Sequence, residues 1–275
     1  MDSKESGRHW ENNAENWSIY TRKGCDIHRD YVNTPGFFSI LPDVKGLVGL
    51  DVGCGEGHNT RLLVNDRGAK MSACDIAPTF IKYANDHEQQ QPVGIDYQVA
   101  DAQQVDDHYT AGSFDFVTSF MCLMDLPDQP RVFDAVYKLL KPGGFLQFSI
   151  IHPCFMSSPK SHFIKDENGL EVEMRVLDYF TVTNGEYVER WSFGISRKMD
   201  PNVEPFSVPV FHRPLSTWVS MILSAGFIIE QMHEPKATDE GIVKHPRLKY
   251  THDICPIFLI FRVRKPTTDV PKVTK

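Results

Sequence analysis

Three glycines on alternate positions constrain this chain more than any other feature. Gly53, Gly55 and Gly57 follow the apolar run Leu47-Val48-Gly49-Leu50-Asp51-Val52 and precede Thr60-Arg61-Leu62-Leu63-Val64. That order predicts a buried strand, a tight turn, and a helix whose N-terminus faces whatever lies above the strand. Glycine lets the backbone turn sharply and leaves no Cβ in the way of a ligand. Free N–H groups at a helix start suit an anionic or hydroxyl-rich group. The dinucleotide pattern G-x-G-x-x-G needs its third glycine one residue later than Gly57. A glycine-rich turn with no ligand is the plain alternative.

From Leu47 onward strand-like and helix-like segments alternate, which predicts an α/β, doubly wound, mostly parallel sheet with helices on both faces. Strands are expected at 47–52, 70–75, 95–100, 114–120 and 145–151, with helices at 60–66, 78–90 and 129–140. Pro142-Gly143-Gly144 ends the last of these helices. Residues 152–213 interrupt the alternation. Segments 172–179 and 187–193 alternate apolar and polar side chains around Asn184-Gly185, the strongest short hairpin signal, so a β-hairpin is expected after strand five. A helix at 215–225, with Ser216 as N-cap and Gly226 as C-cap, and strands at 227–233 and 257–264 complete seven strands. The expected organisation is an N-terminal helical lid (1–46), a main domain (47–265) with its 152–213 insertion as a cap, and a disordered tail (266–275).

Composition excludes several classes. The chain has 275 residues, a formal net charge of −7, 41% hydrophobic and 24% charged residues. Nucleic-acid binding as the main business would need a basic footprint, which that charge argues against. No run of roughly 18 apolar residues exists, so no secretory signal or membrane span is expected. Six scattered cysteines, with no C-x-x-C pair, suit reduced thiols in a cytoplasmic protein and offer no metal-ligand spacing.

Carboxylates close three successive strands: Asp51, Asp75 and Asp101. In a doubly wound sheet these ends share one crevice. A carboxylate at Asp75 can accept both hydroxyls of a ribose diol, a charge-assisted contact. Asp101 alone could instead cap the turn that follows it.

These residues carry a family resemblance. Asp51-Val52-Gly53-Cys54-Gly55-Glu56-Gly57 resembles motif I of the class I S-adenosylmethionine-dependent methyltransferases. Phe114-Asp115-Phe116-Val117 and Leu140-Lys141-Pro142-Gly143-Gly144-Phe145-Leu146 match that family's later motifs. The resemblance implies S-adenosyl-L-methionine as cofactor. Gly53, Gly55 and Gly57 would line its methionine moiety, with Asp51 and Cys54 among the other cofactor contacts. Asp75 would bind the ribose, Asp101 and Ala102 the adenine, Phe120 and Met121 would sit beside the sulfonium and adenine, and Ile76 would be a further cofactor contact. Arg22 or Arg29 would pair the cofactor carboxylate. Through His152-Pro153-Cys154-Phe155, Phe211-His212-Arg213-Pro214 and Ala225-Gly226-Phe227, the second half resembles a small-molecule (type 11/25-like) branch that brings no substrate with it.

The implied function is methyl transfer to an oxygen or nitrogen of a small-molecule acceptor by in-line displacement. The alternatives are a non-catalytic protein that binds the same nucleotide, and a methyltransferase acting on a protein or nucleic acid. If a base is needed, His152 and then His212 are the candidates; each can equally serve as a structural hydrogen-bonder. Tyr20, Phe155, Tyr179, Trp191 and Arg213 are the candidate acceptor contacts, although aromatics at period two in a hairpin are more often core. Asp75→Ala is expected to abolish cofactor binding and leave the fold intact. The oligomeric state stays open.

Overall fold

The computed structural model describes residues 1–156, 160–195, 199–201 and 203–268. The predicted alternation is present: β1 (Val48–Val52), α3 (His58–Asn65), β2 (Lys70–Asp75), α4 (Pro78–Gln90), β3 (Asp96–Val99), β4 (Phe114–Phe120), α5 (Gln129–Leu139) and β5 (Leu140–Ile151). Before them lie α1 (Ser3–Arg22) and α2 (Thr34–Ile40), and after the insertion α6 (Leu215–Ser224), β10 (Ile228–His233) and β11 (Phe258–Arg264). Gly226, at φ +97°, turns the chain out of α6 as expected, while Pro214 rather than Ser216 holds the N-cap position.

Seven strands form one sheet in the order β10-β11-β5-β4-β1-β2-β3. β11 runs antiparallel to both of its neighbours, and the β1–β4, β1–β2, β2–β3 and β4–β5 pairs are parallel. The order reverses between β1 and β4, so their carboxyl ends open a crevice there. One face of the sheet buries Leu146, Phe148 and Phe261 against Phe133 of α5 and Trp218 of α6. The other packs Phe116 and Ala73 on Phe37, Leu63 and Ile81. The strands facing both layers therefore read as near-continuous apolar runs.

The insertion differs from the expectation. Glu171–Arg175 (β7) pairs with His162–Lys165 (β6), and Val188–Trp191 (β8) pairs with Phe206–Pro209 (β9). Among the described residues the insertion forms two small hairpin sheets, and 172–179 does not pair with 187–193. Asn184-Gly185 is a bend whose glycine, at φ +83°, lies against Met1 and Phe211. Its positive φ serves close packing rather than a hairpin turn. The expected disordered tail falls, for 269–275, outside the described residues.

Helix α1 ties the N-terminal segment to this insertion. The Asn13 side chain donates to Ser207 O and accepts from Ser207 N, both at 3.0 Å, completing the edge of β9 with an amide. On the same helix face, Trp17 packs against Trp191, Phe193 and Phe206 with ring centroids 4.9–5.2 Å apart. The helix so held crosses the crevice. A π-helical turn, Arg29–Asn33, then leads into α2.

Candidate active site

A cavity of about 810 Å³ lies over the carboxyl ends of β1, β2 and β4 and under α1 and the β8–β9 hairpin. The glycine loop forms its floor. Gly53 N and Cys54 N donate to Cys74 O at 2.8 and 3.0 Å. Gly53 has no room for a side chain, since a Cβ there would meet Cys122 Sγ at 2.2 Å. Gly55, at φ +56°, faces open space, where a ligand can approach the backbone. Gly57, at φ +85°, lies against Tyr97 and packs the loop onto β3 rather than lining the cavity.

Asp51 is buried and accepts the hydroxyls of Thr60 at 2.6 Å and Thr118 at 2.9 Å. Asp75 accepts the Gly55 N–H and the Ala77 N–H, each at 2.9 Å. Burial raises both acids to about 6. Its oxygens retain capacity to accept from a ligand hydroxyl. A ribose diol offers two such hydroxyls, and Ile76 lines the wall beside it. Ala102 and Ala100 line the next stretch, whereas Asp101 caps the following 3₁₀ turn through Gln103 N at 2.9 Å and accepts the Ser3 hydroxyl. Its side chain is thus already engaged under α1.

Phe120 and Met121 stand at the end of β4 on the cavity wall. Met121 is held at φ +54°, a conformation rare for a side-chain-bearing residue, by bonds from its N–H to the Ser149 carbonyl and hydroxyl. Such strain concentrates at functional sites. The two arginines are committed to the loop itself. Arg29 and Arg22 both pair with Glu56, and Arg22, 40% exposed, also reaches Tyr83 O away from the cavity.

Both candidate bases are held by structure. His152 is buried outside the cavity wall, with Nδ1 accepting the Cys154 N–H at 3.2 Å and Nε2 at 2.9 Å from Glu234. The first bond assigns the proton to Nε2. His212 does line the cavity, and its Nε2 lies 2.6 Å from Tyr179 O, an arrangement that requires N–H there. Burial lowers the pKa of both rings, which keeps them neutral.

The proposed acceptor contacts divide. Trp191 and Arg213 line the cavity. Arg213 donates to the Thr183 and His212 carbonyls and to Asn184 Oδ1 at 3.0 Å, bracing the bend. Tyr20 is buried with its hydroxyl on Asp200, Phe155 packs tilted against His152, and the Tyr179 hydroxyl takes Leu215 N. These three lie off the wall. Residues that sequence reasoning passed over do line it: Trp10, Trp17, His28, Asn33, Asp125 and Glu189. No periodicity or motif marks them, because they come from four separate segments.

The residues fit a nucleoside carrying an amino-acid tail. A glycine turn with no side chain at Gly55, a buried diol acceptor and an alanine-walled slot follow one another along one crevice. Residues 50–148 match the family model described as "Methyltransferase domain". The chain is 37% identical over 126 residues to a protein of Xanthomonas oryzae named Ubiquinone biosynthesis O-methyltransferase, covering 46% of this chain and 49% of that protein. Over 105 residues it is 40% identical to the protein of that name in Xanthomonas axonopodis, covering 38% and 42%. This chain thus spans about half the length of these relatives. Among solved structures, an S-adenosylmethionine dependent methyltransferase of Mesorhizobium loti is 27% identical with TM-score 0.65, covering 84% of this chain and 96% of that one. A Haemonchus contortus phosphoethanolamine N-methyltransferase bound to S-adenosyl-L-methionine shares the fold at 17% identity and TM-score 0.53, covering 85% and 52%. Residues 50–148 thus carry the match to a methyltransferase domain, on a fold shared with solved S-adenosylmethionine dependent methyltransferases.

Proposed function

We propose that this chain transfers the methyl group of S-adenosyl-L-methionine to an oxygen or nitrogen atom of a small-molecule acceptor. One observation carries the reading. The cavity that begins at the glycine loop continues without a break to Trp191, Phe211 and Trp218 beneath the inserted strands. A donor site and an aromatic acceptor site therefore share one enclosed space. When bound, the cofactor supplies an electrophilic methyl on a sulfonium.

The chain's own residues do the rest. Asp75, positioned by the Gly55 amide, holds and orients the ribose end, and Gly53 lets the loop close against Cys122. Phe120 and Met121 wall the region where the two ligands meet. Trp10 and Trp17 of α1 cover the crevice and exclude water, which helps an in-line displacement that needs alignment more than acid–base chemistry. The matched family region ends at residue 148, before the strands that line the acceptor end. Acceptor chemistry is thus read from those strands rather than from the relatives' names. Six unpaired cysteines suit a reducing, cytoplasmic setting.

The test is to incubate the protein with methyl-labelled S-adenosyl-L-methionine and panels of phenols, catechols, amines and carboxylates, and to follow S-adenosylhomocysteine release. Turnover on at least one class supports the reading. Tight cofactor binding with no turnover on any of them favours a binding protein instead.

A further inference from the structure

Two carboxyl groups on the cavity wall lack partners. Asp51, Asp75, Asp26 and Glu56 also line the cavity, and each is satisfied: by two threonine hydroxyls, by two backbone amides, by the Arg29 amide, and by Arg22 and Arg29. Asp125 and Glu189 differ. Among the described residues neither carboxylate has a hydrogen bond or an ion pair. Asp125 is 7% exposed, and its turn after β4 is fixed by Asp125 N on Cys122 O at 2.9 Å and by the Ser6 hydroxyl on Asp125 O at 3.0 Å.

The two acids converge from elements far apart in sequence. Glu189 and Trp191 are two residues apart on β8 and so share a face. Trp191 packs against Trp17 of α1, so Glu189 is turned toward the helix whose Ser6 holds the Asp125 turn. Burial, and then the charge of Glu189, push Asp125 well above the ordinary carboxylate range. A buried, unneutralised acid pair is destabilising unless a cation joins it. Trp17, Tyr187 and Trp191 line the same end, and aromatic faces attract cations.

Resting on the methyltransferase reading, we propose that Asp125 and Glu189 bind the positively charged nitrogen of the acceptor, making its class a protonated organic amine. Arg190 and Arg247 also line the cavity, but neither pairs with Asp125 or Glu189 among the described residues, Arg190 alternates with Glu189 along β8, and Arg213 is spent on carbonyls.

The experiment is calorimetric titration of the S-adenosylhomocysteine-loaded protein with 2-phenylethylamine, 2-phenylethanol and 3-phenylpropionate. The amine is expected to bind at least about tenfold more tightly than its neutral and anionic counterparts. E189Q and D125N are each expected to lose about tenfold in amine affinity while retaining S-adenosylhomocysteine affinity. D125N replaces a buried acid by a near-isostere, and E189Q, on a less enclosed strand, serves should D125N fold poorly. No preference for the amine, or an amine affinity unchanged in both variants, would overturn the proposal. Failure of S-adenosylhomocysteine to bind the wild type would instead overturn the cofactor reading on which it rests.

Discussion

Asp75 and Gly55 are joined by a 2.9 Å hydrogen bond from the loop amide to the carboxylate. The acid proposed to take the ribose therefore also shapes the glycine loop proposed to face the rest of the cofactor. Asp75→Ala removes a diol acceptor and strands two backbone N–H groups, Gly55 and Ala77. It is expected to lower S-adenosylhomocysteine affinity by at least about a hundredfold and to destabilise the fold by about 1–3 kcal/mol. Calorimetry and urea unfolding check both. The stability loss departs from the sequence-based expectation of an intact fold, because the loop tether is visible only in the structure.

Two neighbouring glycines should respond differently. Gly53→Ala places a methyl against Cys122 at positive φ, so it is expected to unfold earlier by about 1–3 kcal/mol. Gly55→Ala meets nothing within 4 Å, so only its positive φ is penalised, by about 1 kcal/mol. Its methyl projects where the ligand approaches, and affinity should fall more than tenfold. Equal stability losses in the two variants would contradict this division.

The pH dependence of Asp51 has a definite sign. Burial raises it to about 6 from an ordinary 3.8. The folded chain therefore holds a proton that the unfolded chain has released between those values. Its contribution to stability is full below pH 3.8 and is lost as pH rises through 6. Buried histidines such as His28, lowered to about 4, act in the opposite direction, so wild type alone is a poor probe. The difference in unfolding free energy, Asp51→Asn minus wild type, isolates the acid. It should become more positive by on the order of 1–3 kcal/mol from pH 4 to pH 7. A pH-independent difference would count against burial as the cause.

His152 offers a separation of roles. Its ring nitrogens are taken by Cys154 N and Glu234 off the cavity wall. His152→Ala is expected to destabilise the protein by about 1–3 kcal/mol while leaving S-adenosylhomocysteine affinity within about twofold. A large affinity loss at unchanged stability would return His152 to the site.

Much of the frame was legible because its signals are local. The run 47–61 carries strand, turn and helix start in one stretch, and Pro142-Gly143-Gly144 punctuates the last αβ step. The insertion was not legible in the same way. Asn184-Gly185 has hairpin chemistry, but Val188–Trp191 finds its partner at Phe206–Pro209, a choice made by packing against Trp17 rather than by turn residues. The acceptor side was hidden for a similar reason. Asp125 and Glu189 are separated by a whole helix, a strand and the first hairpin, and only the docking of α1 brings their walls together. His152 was a fair candidate by topology, yet Glu234, on the chain after β10, occupies it.

Calorimetric titration with S-adenosylmethionine, S-adenosylhomocysteine and NAD in parallel tests the central claim most directly. Saturable binding of both sulfur nucleotides, lost in Asp75→Ala and absent for NAD, is the predicted result. Binding of NAD with silence from the sulfur nucleotides would contradict the account of the glycine loop and of the cavity built upon it.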